Sequence, residues 1–248
     1  MNWGGGGGGA ALGGVIFVRG TNQTQVTFYN TSIETGQVTG GGVDGSSPGF
    51  GSVLPTGGQA AGSSLFGLGG ATVFNISTGT NTISGAVADY SGNPTAITKL
   101  GGGTLVLSGT NSYTGGSTVL AGTLIVTGDN SASTNTSVTG TLRVAGKAGN
   151  ILLETAGQLV GNGTVSNVDV LGTVSGDLTA NDLGVTNGTI SPGLGTITTT
   201  NAFFSTGRYN WQLYNATGGA DDGPPSAAER GEIDGMAVDP RAGERPQV

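Results

Sequence analysis

The amino-acid sequence predicts an all-β protein, a parallel β-helix (β-solenoid) built from coils of about 17–20 residues. Three features lead to this fold class: a short glycine repeat, alternating aliphatic residues between the glycines, and a composition that disfavours helix. The repeat reads Gly-x-Leu or a close variant, and spacings of 19, 18, 17, 19 and 19 residues separate Gly103, Gly122, Gly140, Gly157, Gly176 and Gly195. A period this short has no room for a strand and a helix, but it fits three short strands joined by tight corners.

Between the glycines, residues alternate as they do in a strand with one buried face. Leu105 and Leu107 fall on one side of an extended backbone and Val106 on the other, and residues 168–170 repeat the pattern. Thr and Val dominate these runs, and their branched Cβ atoms suit extended backbone. The sequence therefore predicts stacked strands whose equivalent aliphatic side chains pile up inside the coils.

The composition supports a thin, repetitive core rather than an ordinary globular one. Of 248 residues, 52 are Gly and 8 are Pro, while aromatic residues make up 6% and charged residues 9%. Such a chain would be low-complexity and unfolded unless its glycines recurred with a period, which they do. Because each glycine costs a helix about 1 kcal/mol relative to Ala, we expect virtually no helix.

Charge and residue absences exclude several classes of function. The net charge is −7 and the pI near 4.3, so no basic face for nucleic acid is expected. The chain contains no Cys and no His, which removes disulfides, thiolate or imidazole zinc sites and every Ser-His or Cys-His nucleophile. No run of about twenty apolar residues suggests a membrane span.

Three regions follow from the pattern. Residues 1–70 read as Gly-rich, irregular N-terminal coils, residues 71–218 as the β-helix repeat region, and residues 219–248 as a disordered acidic, Pro-rich tail. Met1 leads directly into glycines 4–9 without the segments of an export signal, so we expect that a signal has been lost upstream. An intracellular protein is the alternative.

Residues 97–124 read ITKLGGGTLVLSGTNSYTGGSTVLAGTL. This segment closely resembles the autotransporter-associated β-strand repeat of bacterial passenger domains, with Lys99, Asn111 and Tyr113 in the family's register. Flanking segments, including 8–17 and 209–218, look like such passengers too, so that the resemblance covers most of residues 8–218. Beyond 218 the chain is polar and Pro-rich where the family has apolar strands.

The resemblance implies a right-handed β-helix, since the period alone would also allow a left-handed one. Similar proteins are exported to the bacterial surface and end in a translocator barrel in the outer membrane; that barrel is expected in a full-length parent and is missing from this sequence. The implied function is a non-catalytic, secreted or surface-exposed passenger segment, a glycine-rich stalk or adhesin-type scaffold. Its expected partners are surface molecules of host or neighbouring cells, or polysaccharide.

An enzyme is the first alternative, because some β-helix proteins are polysaccharide lyases or hydrolases. Acid–base cleavage needs two or more carboxylates facing one groove. Asp169, Asp177 and Asp182 form the one cluster inside the repeats, but Asp169 and Asp177 are eight residues apart in a coil and have no Lys or Arg nearby. A solvated acidic strand edge explains them equally well, so we predict no catalytic residue.

A calcium-dependent binding module is the second alternative. Residues 40–44, ending in Asp44, resemble one calcium-binding nonapeptide turn, but such sites need stacked copies and this one occurs once. Glycines 4–9 fit a phosphate-loop pattern without its Lys and helix, and they are interpreted as a linker. We therefore predict neither a metal nor a cofactor.

Two further patterns are open to a binding interpretation. Asparagines recur in a way that could form a stacked amide ladder, although turn preference explains them better: Asn111, Asn130, Asn150, Asn167 and Asn187. Three aromatic residues could be exposed platforms for sugars or partner surfaces, although half-buried strand caps are commoner: Tyr113, Trp211 and Tyr214.

Overall fold

The structure, a computed structural model, describes residues 10–20, 25–40, 60–90, 92–193, 195–212 and 230–234. Within these residues every regular element is a β-strand and there is no helix, which confirms the predicted all-β class. The strands are β1 (Ala11–Leu12), β2 (Ile16–Arg19), β3 (Gln25–Tyr29), β4 (Ala60–Ala61), β5 (Leu65–Leu68), β6 (Gly70–Asn75), β7 (Thr80–Ile83), β8 (Val87–Asp89), β9 (Thr95–Leu100), β10 (Thr104–Leu107), β11 (Ser117–Val119), β12 (Thr123–Val126), β13 (Asp129–Val138), β14 (Thr141–Val144), β15 (Lys147–Leu153), β16 (Gln158–Gly161), β17 (Thr164–Val170), β18 (Thr173–Gly176), β19 (Thr179–Val185), β20 (Thr189–Ile190), β21 (Thr198–Phe204), β22 (Arg208–Gln212) and β23 (Arg230–Asp234).

Nearly all strand pairs are parallel, and each strand lies beside its equivalent in the next coil. One large sheet has the order β7-β10-β12-β14-β16-β18-β20-β22, and the other runs β3-β6-β9-β11-β13-β15-β17-β19-β21. A short sheet β2-β5-β8 and the pair β1-β4 complete the N-terminal coils. The result is a β-solenoid of about eight turns, which confirms the predicted fold class.

The core consists of aligned aliphatic columns inside this stack. The register places Leu105 beside Leu124, and Leu124 beside Leu142, with all three buried. The intervening residues face outward, as the half-buried Ile125 does. The alternation seen in the sequence thus becomes one buried and one solvated face of each strand.

The corners between strands require glycine where successive coils come close. Gly122 has a φ of 66°, and a Cβ there would collide with the carbonyl oxygens of Gly101 and Gly103 in the preceding coil. Gly101 itself has a φ of 76°. Only glycine combines this backbone conformation with so close an approach.

The coils shorten from the N-terminal part to the middle of the solenoid and lengthen again at β21, where Phe204 aligns with Val185 after 19 positions. Phe74 aligns with Lys99, 25 positions later, whereas Val170 aligns with Val185 after 15. The predicted length of about 17–20 residues lies within this range. Long coils enclose large side chains such as Phe74, which stacks on Phe28 with ring centroids 5.3 Å apart. Shorter coils enclose aliphatic side chains such as Leu153 and Val170, because their cross-section holds less volume.

The chain's outer segments are described in part. Residues 10–20 and 25–40 contribute β1, β2 and β3 to the first coil. Of the predicted tail, residues 230–234 form β23, which pairs antiparallel with β22. Residues 219–229 and 235–248, the glycines 4–9, Asp44 and Tyr214 lie outside the described residues, as does the side chain of Trp211.

Candidate functional site

The three aspartates of the enzyme alternative lie on two different sheets. Asp169 in β17 and Asp182 in β19 are exposed on the outer face of neighbouring strands, and Asp182 Oδ1 accepts a hydrogen bond of 2.7 Å from Asn201 Nδ2. Asp177 follows β18 in the other sheet, where its carboxylate accepts a 2.6 Å hydrogen bond from the backbone N–H of Thr196. Two of the three carboxylates therefore share a face, and two already have protein partners.

Metal-ligating groups are sparse in the described ranges. No group of three or more Asp and Glu side chains there is arranged to hold a metal ion.

Within the part of the chain that the structure describes, no helix has the length and apolarity needed to cross a membrane.

The five asparagines considered for a ladder do not form a single column. Asn111 and Asn130 are buried, with 4% and 2% of their surface exposed. Asn187 has a φ of 59° at a turn, while Asn150 and Asn167 are exposed on strands. Turn preference therefore explains one of the five, and burial in the coil interior sets two others apart.

Tyr113 is neither an exposed platform nor a half-buried cap, because it is fully buried. Its hydroxyl oxygen lies 2.8 Å from Ser117 Oγ and accepts a 2.7 Å hydrogen bond from Asn130 Nδ2. Ser133 Oγ lies 3.4 Å from Ser117 Oγ and donates to the carbonyl of Gly115. Burial raises the pKa of the Tyr113 phenol, against an opposing effect of the hydrogen bonds.

A second set of polar contacts joins the segment around Tyr113 to the preceding coil. Asn111 Oδ1 accepts a 2.8 Å hydrogen bond from the backbone N–H of Val87. Asp89 Oδ2 accepts from the backbone N–H groups of Thr95 and Thr114 at 2.8 and 2.7 Å. Because backbone N–H groups are costly when unpaired, these side chains complete the hydrogen bonding beside residues 111–114, which form no strand.

The sequence marks Lys99, Asn111 and Tyr113 as motif residues, but the motif alone does not place them in the interior. The burial of Lys99 follows from the two-residue periodicity of the sequence. Lys99 comes two positions after Ile97 in β9, where residues alternate between buried and half-buried. Lys99 is fully buried. For Tyr113 the sequence gives no such signal, because the alternate positions buried with it are Asn111, Gly115 and Ser117, none of which is apolar.

The fold and these contacts define a β-solenoid scaffold with a partly polar interior. Residues 97–126 match the family described as passenger-associated-transport-repeat. The matched segment begins within β9 and ends with β12, so it supplies two consecutive strands to each large sheet. No curated protein and no solved structure matches the chain significantly. The repeat and the solenoid together fit an autotransporter passenger domain, which confirms the resemblance noted in the sequence.

Proposed function

We propose that the chain is a non-catalytic passenger segment, displayed on or secreted from a Gram-negative cell, that acts as a stalk or adhesin-type scaffold. The observation that carries the proposal is the passenger-associated-transport-repeat at residues 97–126, set within a continuous stack of parallel coils. In such a stack each coil contacts only the coils before and after it. The solenoid therefore extends along one axis and holds the outer faces of successive coils at a fixed spacing.

The outer surface supports a binding role for this scaffold. Outward positions of the large sheets are mostly polar, among them Thr104, Thr123 and Thr141 in one aligned column. Single aromatic side chains stand out from this background, with Phe203 68% and Tyr29 67% exposed. Polar groups with isolated aromatic rings suit sugar hydroxyls and the mixed surfaces of other cells' proteins.

The experiment attaches the full chain to a heterologous outer-membrane anchor in a laboratory Gram-negative strain. Protease shaving of intact cells measures display, and retention on panels of polysaccharides and cultured cells measures adhesion. The controls are the anchor alone and the same chain carrying Gly122→Val, which disrupts a coil corner. We expect display and retention of the parent chain only. Failure of display would refute the passenger role, and display with retention no higher than the anchor alone would refute the adhesin role.

A further inference from the structure

Lys99 occupies a core position of the solenoid. Its Cα partners are Phe74 in β6 and Val119 in β11, both buried and apolar, and Lys99 itself is 0% exposed. An ammonium placed among such side chains is strongly destabilising unless its N–H groups are hydrogen-bonded. The residue therefore needs a dedicated set of acceptors.

Backbone carbonyls supply those acceptors from two successive corners. Lys99 Nζ donates to the carbonyl oxygens of Leu100 and Gly101, each at 2.8 Å, where β9 ends and the next corner begins. It also donates to the carbonyl oxygen of Ala121 at 3.1 Å, in the corner that follows β11 in the next coil. An ammonium has three N–H donors, so each has one acceptor here.

Glycine makes this convergence possible. Gly101 and Gly122 both have positive φ, and the lack of a Cβ at Gly122 lets the two corners approach within backbone contact. The carbonyls of both corners can then point at one nitrogen atom, which side chains at these positions would prevent.

We propose that these two corners form an internal ammonium-binding site, occupied by the chain's own Lys99, that fixes how the coil containing β11 stacks on the coil containing β9. Burial lowers the pKa of the Lys99 amine. The three carbonyls act in the opposite sense, because a neutral amine has two N–H groups and would turn its lone pair toward the third oxygen. A one-residue slip of β9 would move Lys99 to the solvent face, so the site discriminates against that register.

The chain suits a direct test because it contains two lysines, Lys99 and Lys147, and the side chain of Lys147 is 66% exposed. With lysine labelled by ¹⁵N in the full chain, we expect a slowly exchanging three-proton ammonium signal from Lys99 near neutral pH. Acylation of native protein should be about a hundredfold slower at Lys99 than at Lys147. A neutral-amine signal, or comparable acylation of the two lysines, would overturn the proposal.

A substitution at Lys99 separates the effect of its hydrogen bonds from the effect of the space that its side chain fills. Lys99→Met keeps a long unbranched side chain without N–H donors, and Lys147→Met is the surface control. Two backbone hydrogen bonds join the same corners, from the N–H of Leu120 to the carbonyl of Lys99 and from the N–H of Thr123 to that of Gly103. We expect hydrogen exchange at these two amides to quicken about tenfold or more in Lys99→Met alone. Unchanged exchange there would refute the stacking role, and the ammonium signal of the parent chain decides the question if Lys99→Met does not fold.

Discussion

Truncating Leu124 to Ala tests whether the aligned aliphatic columns hold the solenoid together. Leu124 is 1% exposed, and its Cα partners Leu105 and Leu142 are buried as well. Hydrogen-bonded strands on both sides fix the backbone of β12, so the space left by the side chain cannot collapse easily. Buried Leu→Ala changes cost about 2–5 kcal/mol, with the larger values where a cavity persists. We expect a loss of about 3–4 kcal/mol in the free energy of unfolding.

Ile125→Ala is the matched control, because Ile125 lies in the same strand but faces outward and is half-buried. Its truncation should cost about 1 kcal/mol or less, since much of the side chain already contacts water. Urea unfolding of the full chain, followed by the far-ultraviolet signal of the strands, measures both variants. Repeat stacks can unfold in parts, so hydrogen exchange in β10, β12 and β14 should accompany the titration. A loss below about 1 kcal/mol for Leu124→Ala, or equal losses for the two variants, would refute the inner placement of this column.

Three further changes test other parts of the reasoning. Gly122→Ala should destabilise the fold by more than about 2 kcal/mol in thermal unfolding, because of its positive φ and its contact with the preceding corner. Gly102→Ala, at an exposed position whose nearest neighbour would be 3.5 Å away, should have little effect, and similar losses for both would contradict the close-approach argument. Tyr113→Phe should cost about 1–3 kcal/mol, since it leaves the Asn130 amide without its partner. Folding raises the pKa of the Tyr113 phenol, so the stability that the phenol contributes is complete below about pH 10 and is lost as the pH rises through its pKa in the folded state. Alkaline unfolding monitored by circular dichroism should therefore be less steep in Tyr113→Phe. An identical pH profile for the two proteins would argue against the buried phenol. Asp169→Asn should leave the products released from acidic and neutral polysaccharides unchanged, with and without calcium. Polysaccharide cleavage by the parent chain that is abolished in Asp169→Asn would refute the non-catalytic function.

The sequence was sufficient to place the repeating part of the fold. Glycine spacing located the corners at Gly103 and Gly122, and the two-residue alternation placed Leu105 and Leu124 in the core. Both signals are local, because a strand's inner face and a corner's backbone conformation depend on a few neighbouring residues. Aliphatic residues then stack in register because any one-residue slip would expose the whole column.

The polar interior could not be derived in the same way. Tyr113 bonds to Ser117, four residues further along the same coil, and to Asn130 in the next coil, so its contacts depend in part on the length of chain between successive strands. That length is 46 positions between β3 and β6, 25 between β6 and β9 and as few as 15 further along, and no local periodicity encodes it. The two exposed aspartates on one face, Asp169 and Asp182, likewise come together through a register that the sequence repeat gives only approximately.

The change in coil length explains why one segment carries so many buried polar groups. Between β6 and β9 the register advances by 25 positions, and between β9 and β11 by 20. The interior beside β9 must therefore fit a wide coil on one side and a narrower one on the other, a space that regular aliphatic columns do not fill. Lys99 and Tyr113 lie in this interior, and their polar ends bond to corner carbonyls and to a side chain of the following coil. In the next strands the same column holds Val119, Val138 and Leu153. The matched repeat at 97–126 thus lies at the junction between the wide and the narrow parts of the solenoid, where hydrogen bonds set the stacking that apolar contacts alone would leave free to slip.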